Sequence, residues 1–491
     1  MKELRQLQDI KNRVGSALTE GLSNVQITRF LELDTSLRQA ISQAAERFED
    51  VAAEYPELTK LPEAELMKTL NQHVQGFYDP VDASPYVPLA AKGPWIVTLY
   101  GAVVYETGGY GMLGFGHNPD FLYEVLHSDQ VMANVMTRSL SQYRLSQALL
   151  KQIGFTRGGA ECPFEKFLFM NSGSEAMEVA GRLIDIHARK LTNPGAKYAG
   201  APIVSIALSK GFHGRTTSPA KVSDSSLKKY RAALASFRDQ DDLLIVEPNN
   251  VADLQSKFES AHQRGALISG FYMEPVMGEG NPGLSITPEF YARARELCDQ
   301  HETILIIDSI QASLRAWGVL SIVDFPNFQT IPAPDMESYS KAMNAGQYPL
   351  SVLAMRRHIA ELYQYGVYGN TMTGNPRALE VGLAVVNQCT PALRKNIIER
   401  GQEFRRKLRE LIKRHPKKCL AEQGTGLLVS LELSKDIPVV GVNGIELKLR
   451  KKGIQVIHGG ENSLRFTPQF FMSSQEIELI VEVLEHQLML L

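Results

Sequence analysis

Six short apolar runs, alternating with helix-patterned segments, narrow the fold of this chain more than any other feature. They are Lys166–Met170, Ile203–Ala207, Leu243–Val246, Gly270–Met273, Ile304–Ile307 and Ser351–Met355. Most are bounded by turn residues, and a short apolar run so bounded suits a buried strand. Helices between successive strands return the chain to the same end of a sheet. The alternation therefore implies an α/β fold with a mostly parallel sheet and helices on both faces.

The flanks read differently. Residues 1 to about 75 have helical character, with Leu37, Ile41, Ala44 and Phe48 recurring at helical spacing between charged residues. Asp79-Pro80, Ser84-Pro85 and Gly93-Pro94 then punctuate loop or extended chain, and glycines crowd the stretch from Gly101 to Gly116. A Lys- and Arg-rich helix is expected over Arg394–Arg414. From Gly424 to Leu491, strand-like runs and a closing helix suggest a smaller α+β domain.

With 491 residues the chain can bury more than one core. Lys plus Arg number 52 and Asp plus Glu 54, with no basic tract, so a nucleic-acid partner is not expected. No apolar stretch is long enough to span a membrane, and the first residues lack an apolar run of signal type. Cys162, Cys298, Cys389 and Cys419 are scattered without a CxxC pair, which argues against a disulfide framework or a metal site. A reduced, cytoplasmic setting is the expectation.

Four segments carry chemistry. In Phe169-Met170-Asn171-Ser172-Gly173-Ser174-Glu175-Ala176 a strand ends and a helix begins. Amide groups and the helix dipole favour a phosphate there, Gly173 permits close approach and Ser174 offers a hydroxyl. Ser172 and Glu175 equally fit a capping box, and both readings can hold. In Lys210-Gly211-Phe212-His213-Gly214-Arg215-Thr216, Phe212 could stack on a flat ring and Arg215 could grip a carboxylate, or the two could be a core Phe and a solvated Arg. Asp308 ends the run Thr303-Ile304-Leu305-Ile306-Ile307-Asp308, where it could face a protonated ring nitrogen or cap the next helix; Gln311 follows. Lys341, in Tyr339-Ser340-Lys341-Ala342, is an ordinary surface lysine by itself. Together, an amine for a Schiff base, a phosphate cradle and a carboxylate for a pyridinium nitrogen are what pyridoxal 5'-phosphate (PLP) requires.

At this point the chain resembles the class III (ω-amino acid) aminotransferases, PLP enzymes of fold type I, from about Pro88 to Leu491. The shared markers include Gly114-Phe115-Gly116-His117-Asn118-Pro119, Asn171-Ser172-Gly173-Ser174-Glu175-Ala176 and Phe212-His213-Gly214-Arg215-Thr216. Glu274-Pro275-Val276-Met277-Gly278-Glu279-Gly280, Asp308-Ser309-Ile310-Gln311, Ser340-Lys341-Ala342, Asn370-Thr371-Met372-Thr373-Gly374-Asn375-Pro376 and Leu464-Arg465-Phe466-Thr467-Pro468 continue the series in order.

The resemblance implies that Lys341 is the Schiff-base lysine, that Gly173 and Ser174 bind the phosphate, and that Phe212 stacks on the ring. Asp308 would pair with the ring nitrogen and Gln311 would contact the ring oxygen. Thr371 would reach the phosphate in the neighbouring subunit, which implies a homodimer with shared active sites. Glu279 and Arg465 would form a switch that admits first an amine donor and then a dicarboxylate. Arg215 would grip a distal carboxylate, and Tyr110 would lie near the donor's α-amino group.

The implied domains are an N-terminal extension and joining segment over 1–125, a large PLP-binding domain over 126–380 and a small domain over 381–491. The implied reaction moves a terminal amino group of an ω-amino or diamino acid to a 2-oxo acid, 2-oxoglutarate, by a ping-pong cycle. Family members with other PLP reactions, an aminomutase, a decarboxylase and racemases, share nearly all these residues. A non-catalytic scaffold is the alternative of another class.

The chain also departs from the family pattern. The usual D-E-x-Q reads Asp308-Ser309-Ile310-Gln311, a usual G-R-T-G reads Leu314-Arg315-Ala316-Trp317-Gly318, and Met277 stands where Gln is common. The N-terminus is also longer than the family needs before its first motif.

Overall fold

The structure is a computed structural model that describes every residue except Ala133 and Ala160. The chain divides into two compact units. One comprises Met1–Tyr123, Glu399–Gln423 and Val429–Leu491; the other comprises Glu124–Ile398 and Gly424–Leu428.

The second unit is built on a seven-stranded sheet in the order Lys166–Met170, Ser351–Met355, Met336–Tyr339, Ile304–Asp308, Leu267–Met273, Ile203–Leu208, Leu243–Val246. Ser351–Met355 runs antiparallel to both of its neighbours, and the other pairings are parallel. Six of these strands coincide with the apolar runs. The seventh, Met336–Tyr339, has no apolar run to announce it. Its Glu337 is fully buried. The Ser309 hydroxyl at 2.5 Å, the Ser321 hydroxyl and the Ile322 N–H at 3.0 Å donate to that carboxylate. Burial pushes it up to about 7. Hydrogen bonds make this strand possible at the centre of a sheet where hydropathy predicts none.

The helix Gly173–Thr192 lies on this sheet through Ala176, Met177, Ala180, Leu183 and Ile184, a one-sided apolar stripe. A Cβ on Gly270 would come 2.8 Å from Ile184 Cδ1, so glycine sets how closely helix and strand approach. Burying a Leu or Ile here stabilises by about 1.5–3 kcal/mol.

In the first unit the N-terminal extension is part of the core. Its helix Thr35–Glu54 buries Leu37, Ala40, Ile41, Ala44 and Phe48. The turn at Gly93-Pro94 joins two strands, Pro88–Lys92 and Trp95–Thr98, where loop or extended chain was expected. Trp95 is fully buried, its ring 5.0 Å from Phe30 and 5.1 Å from Tyr105, and its Nε1 donates to Asp34 Oδ2 at 2.5 Å. Asp34 also caps the Thr35–Glu54 helix. A four-stranded sheet is completed when Ile454–Gln455 pairs parallel to Val103–Glu106.

Asp335, just before the unannounced strand, anchors the second unit. Its Oδ2 accepts from Arg295 Nη1 at 2.7 Å and from the Leu305 N–H at 2.8 Å, and its Oδ1 lies 3.1 Å from His358 Nε2. Burial alone would raise this carboxyl, but His358 and Arg295 outweigh it and hold the group below the usual carboxylate range. A depressed carboxyl contributes stability that is present above its unfolded pKa, about 3.9, and lost as the pH falls through the folded value. Asp335→Asn should therefore lower stability at pH 7 by about 3–5 kcal/mol, the cost of breaking a buried ion pair. The gap to wild type should close below about pH 3.9. Urea midpoints across pH measure both.

Candidate active site

The parallel strands of the second unit present their carboxyl ends along one edge. Lys166–Met170 shares that direction, because the antiparallel Ser351–Met355 separates it from the rest. Five segments carrying predicted residues leave from that edge. Gly173 and Ser174 follow Met170, Phe212 and Arg215 follow Leu208, and Glu279 follows Met273. Asp308 closes its own strand and Lys341 follows Tyr339. Ligands of open α/β sheets bind at this end.

Ser172 caps the first of these helices in a capping box with Glu175. Gly173 and Ser174 occupy the first turn, where amide groups have no intrahelical acceptor. A Cβ on Gly173 would lie 2.7 Å from Ile310 Cδ1. The loop after Leu208 wraps this turn. The Arg215 N–H donates to Ser174 Oγ at 3.3 Å, and Thr216 Oγ1 donates to the Ser174 carbonyl at 3.2 Å. Gly214, at φ 131°, passes so close that a Cβ would sit 2.7 Å from Ser174 Oγ.

Asp308 is 5 % exposed. Its Oδ2 lies 2.9 Å from His213 Nδ1, and its Oδ1 accepts from the Ile310 N–H at 3.1 Å and from Ser338 Oγ at 3.4 Å. His213 is buried, and its Nε2 has no hydrogen-bond partner among the described residues. Nearby, Glu274 accepts from the Phe212 N–H and the Gly278 N–H, both at 2.9 Å. Burial, reinforced by Asp308 and opposed by His213, pushes its carboxyl up to about 7. One side chain thus sets the height of Phe212 and the course of the loop that carries Glu279. A Cβ on Gly278 would overlap Gln311 Oε1 at 1.8 Å, so the glycine makes room for the glutamine amide.

Lys341 opens a short 3-10 turn, Lys341–Asn344, with φ 51°. A left-handed non-glycine residue costs about 1–3 kcal/mol and persists where its surroundings over-determine it. Ser340 Oγ at 2.8 Å and Asn344 Nδ2 at 3.2 Å both donate to the Leu350 carbonyl and clamp the turn from either side. Arg215 lies with its guanidinium 5.3 Å from the Phe212 ring centre and 3.9 Å from Glu279. The arginine assigned to a distal carboxylate therefore has a carboxylate neighbour of its own. Thr371 is exposed.

Tyr110 and Arg465 belong to the first unit. Arg465 stands opposite Ser430 and Ile457 in a four-stranded sheet, and its guanidinium lies 5.5 Å from the Tyr110 ring. Tyr110 is itself left-handed, at φ 50°. Thr467 holds its loop: the Gly111 N–H donates to Thr467 Oγ1 at 3.2 Å, and the Thr467 N–H donates to the Thr107 carbonyl at 2.7 Å.

Residues 79–488 match the family described as aminotransferase class-III. This chain belongs to the class-III aminotransferase family. Ornithine aminotransferase 2 of Staphylococcus aureus is 26% identical over 411 residues, covering 82% of this chain and 94% of that protein. Acetylornithine aminotransferase of Vibrio cholerae is 28% identical over 414 residues, covering 82% and 92%. The solved ornithine aminotransferase of Toxoplasma gondii ME49 superposes with a TM-score of 0.74 at 21% identity, over 90% of this chain and 98% of that one. These likenesses give the fold as the α/β type I fold of the family. Family membership implies PLP, and a second Toxoplasma gondii structure is described with partial occupancy of PLP at its active site.

His213 and Glu274 were within the motifs but unassigned. Glu274 carries the signal that singled out Asp308, an acid at the end of a buried strand. His213 carries none, because its pairing with Asp308 spans 95 residues.

Gly278→Ala should displace the Gln311 amide and lower the melting temperature. Adding Gln311→Ala should recover part of the loss. A double-mutant cycle should give a coupling of about 0.5–3 kcal/mol, whereas simple additivity would mean that the two residues do not compete for space.

Proposed function

We propose that this chain is a PLP-dependent aminotransferase that takes the terminal amino group of a diamino or ω-amino acid and passes it to 2-oxoglutarate. The observation that carries the reading is the convergence of Lys341, Asp308, Phe212 and the Gly173-Ser174 turn on one edge of a parallel sheet, in a class-III chain. The names of the relatives, ornithine and acetylornithine aminotransferases, support a terminal amine as donor.

The residues fit PLP. A buried carboxylate hydrogen-bonded to a histidine ends a central strand, and a glycine-lined helix start suits a phosphate. When bound, PLP supplies an electron sink that makes the carbon bearing the amine acidic. Asp308, oriented by His213, would hold the proton on the ring nitrogen. Phe212 would stack on the ring, and Gln311 would contact the ring oxygen. Lys341 would hold the cofactor through its Nζ, and as a free amine that Nζ would be the base that takes and returns the substrate proton. Arg465 binds the α-carboxylate of the 2-oxo acid, with Glu279 as its counterion in the other half-cycle. Arg215 serves a carboxylate at the far end, and Tyr110 faces the donor's α-amino group. Thr371 contributes to the phosphate site of the partner subunit, so the working unit is a homodimer.

A donor screen with 2-oxoglutarate tests the reaction: one glutamate should form for each donor consumed. Donor loss without glutamate would mark one of the family's other reactions. Borohydride should fix the cofactor on Lys341, and Lys341→Ala should abolish transfer; a label on another lysine would sink the assignment. Arg465→Ala should slow the 2-oxoglutarate half-reaction about 10- to 150-fold, the loss of a charge-assisted bidentate contact, and leave the donor half nearly intact. Single-turnover spectra separate the two halves, and equal losses would mean that Arg465 is structural.

A further inference from the structure

The segment that carries Thr371 is fastened to the helix Gly173–Thr192 by side chains that the proposed roles leave unused. Glu175 Oε2 accepts from the backbone N–H groups of Asn171 at 2.9 Å and Ser172 at 3.0 Å, which closes the turn before the helix. Its other oxygen, Oε1, accepts from the Tyr368 hydroxyl at 2.5 Å and from Asn370 Nδ2 at 3.0 Å. Further along the same helix, Arg182 Nη1 donates to the Val367 carbonyl at 2.5 Å and its guanidinium lies 5.4 Å from the Tyr368 ring centre. Asn370 and Thr371 are exposed and Tyr368 is half-buried, so water could satisfy their polar groups.

The helix cap needs only Oε2 of Glu175. The second oxygen has a separate use, to hold Tyr368 and Asn370. A carboxylate is planar and rigid, and hydrogen bonds to an ionised acceptor are about twice as strong as neutral ones. Glu175 therefore ties the turn at Gly173-Ser174 to a segment that begins nearly two hundred positions later and ends at Thr371.

We infer that Glu175, through Tyr368 and Asn370, is a positioning residue that sets Thr371 for the partner subunit's phosphate site while capping the helix of its own. This rests on the proposed cofactor and on the proposed role of Thr371. A single carboxylate then couples two sites of the dimer. Tyr368 and Asn370 are the residues through which the identity of the Thr371 segment matters to the neighbour.

Tyr368→Phe removes one hydroxyl and leaves the capping box intact, so its melting temperature should stay near wild type. Heterodimers in which one subunit carries Lys341→Ala leave a single reportable lysine site. After dialysis, borohydride trapping and peptide mass spectrometry count the PLP retained on Lys341. When Tyr368→Phe is on the subunit that also carries Lys341→Ala, the neighbour's Lys341 site should retain PLP about 10-fold less tightly, the size of one lost hydrogen bond to a charged group. When Tyr368→Phe is on the subunit with the intact lysine, retention there should match wild type. Loss only in the second arrangement, equal loss in both, or loss in neither overturns the inference. A wild-type protein that takes up no PLP, or that is monomeric, overturns the functional reading beneath it as well, and that outcome is visible before any variant is made.

Discussion

Parallel strands share a direction, and everything at the candidate site depends on that constraint. Each crossover brings the chain back to the same end of the sheet, so every parallel strand releases its following loop at one edge. Residues 173, 212, 279, 308 and 341 are spread over 169 positions yet leave from the same side. The one antiparallel strand, Ser351–Met355, does not disturb this, since it lies between Lys166–Met170 and Met336–Tyr339 and restores the direction beyond it. Its Ser351 hydroxyl donates to the Ser172 carbonyl at 2.7 Å, which fixes the start of the helix after Met170.

Buried acids then set the fine geometry. Asp308, Glu274, Glu337 and Asp335 are all 5 % exposed or less, and each is met by several donors or a cation. An unpaired carboxylate in such a place would be very costly, so each one dictates where its neighbours lie. Asp335 is held charged by Arg295 and His358. Glu274 and Glu337, bound mainly by backbone N–H and hydroxyl groups, are both pushed up to about 7 by burial. The missing acid of the family's D-E-x-Q has a physical counterpart. Ser309 stands in that position and donates to Glu337 from the adjacent strand, so a carboxylate occupies the neighbourhood from the other side of the strand pair.

The N-terminal extension answers to a different constraint. Its helices cover the sheet that contains Trp95–Thr98, and Asp34 both caps a helix and accepts the Trp95 indole N–H. Glu63, in a later helix, accepts from the N–H groups of Leu18 at 2.7 Å and Thr19 at 2.8 Å. These residues lie before the segment that matches the family, which begins at 79. The helices before residue 79 thus supply a hydrophobic covering for the first unit's own sheet.

The sequence by itself determined six strands of the large sheet and its mostly parallel character. Burial leaves apolar runs, and helix starts and strand ends leave local signatures. It did not determine Met336–Tyr339, whose buried Glu337 and Ser338 read as polar surface until Ser309, Ser321 and Asp308 supply their partners. Nor did it determine that His213 backs Asp308, that Glu279 neighbours Arg215 at 3.9 Å, or that Glu175 holds Tyr368. Those pairings join residues 64 or more positions apart. Local pattern encodes which way a side chain faces. Which distant group it meets is set only when the strands have been placed side by side, and hydrogen-bond geometry then selects among the partners within reach.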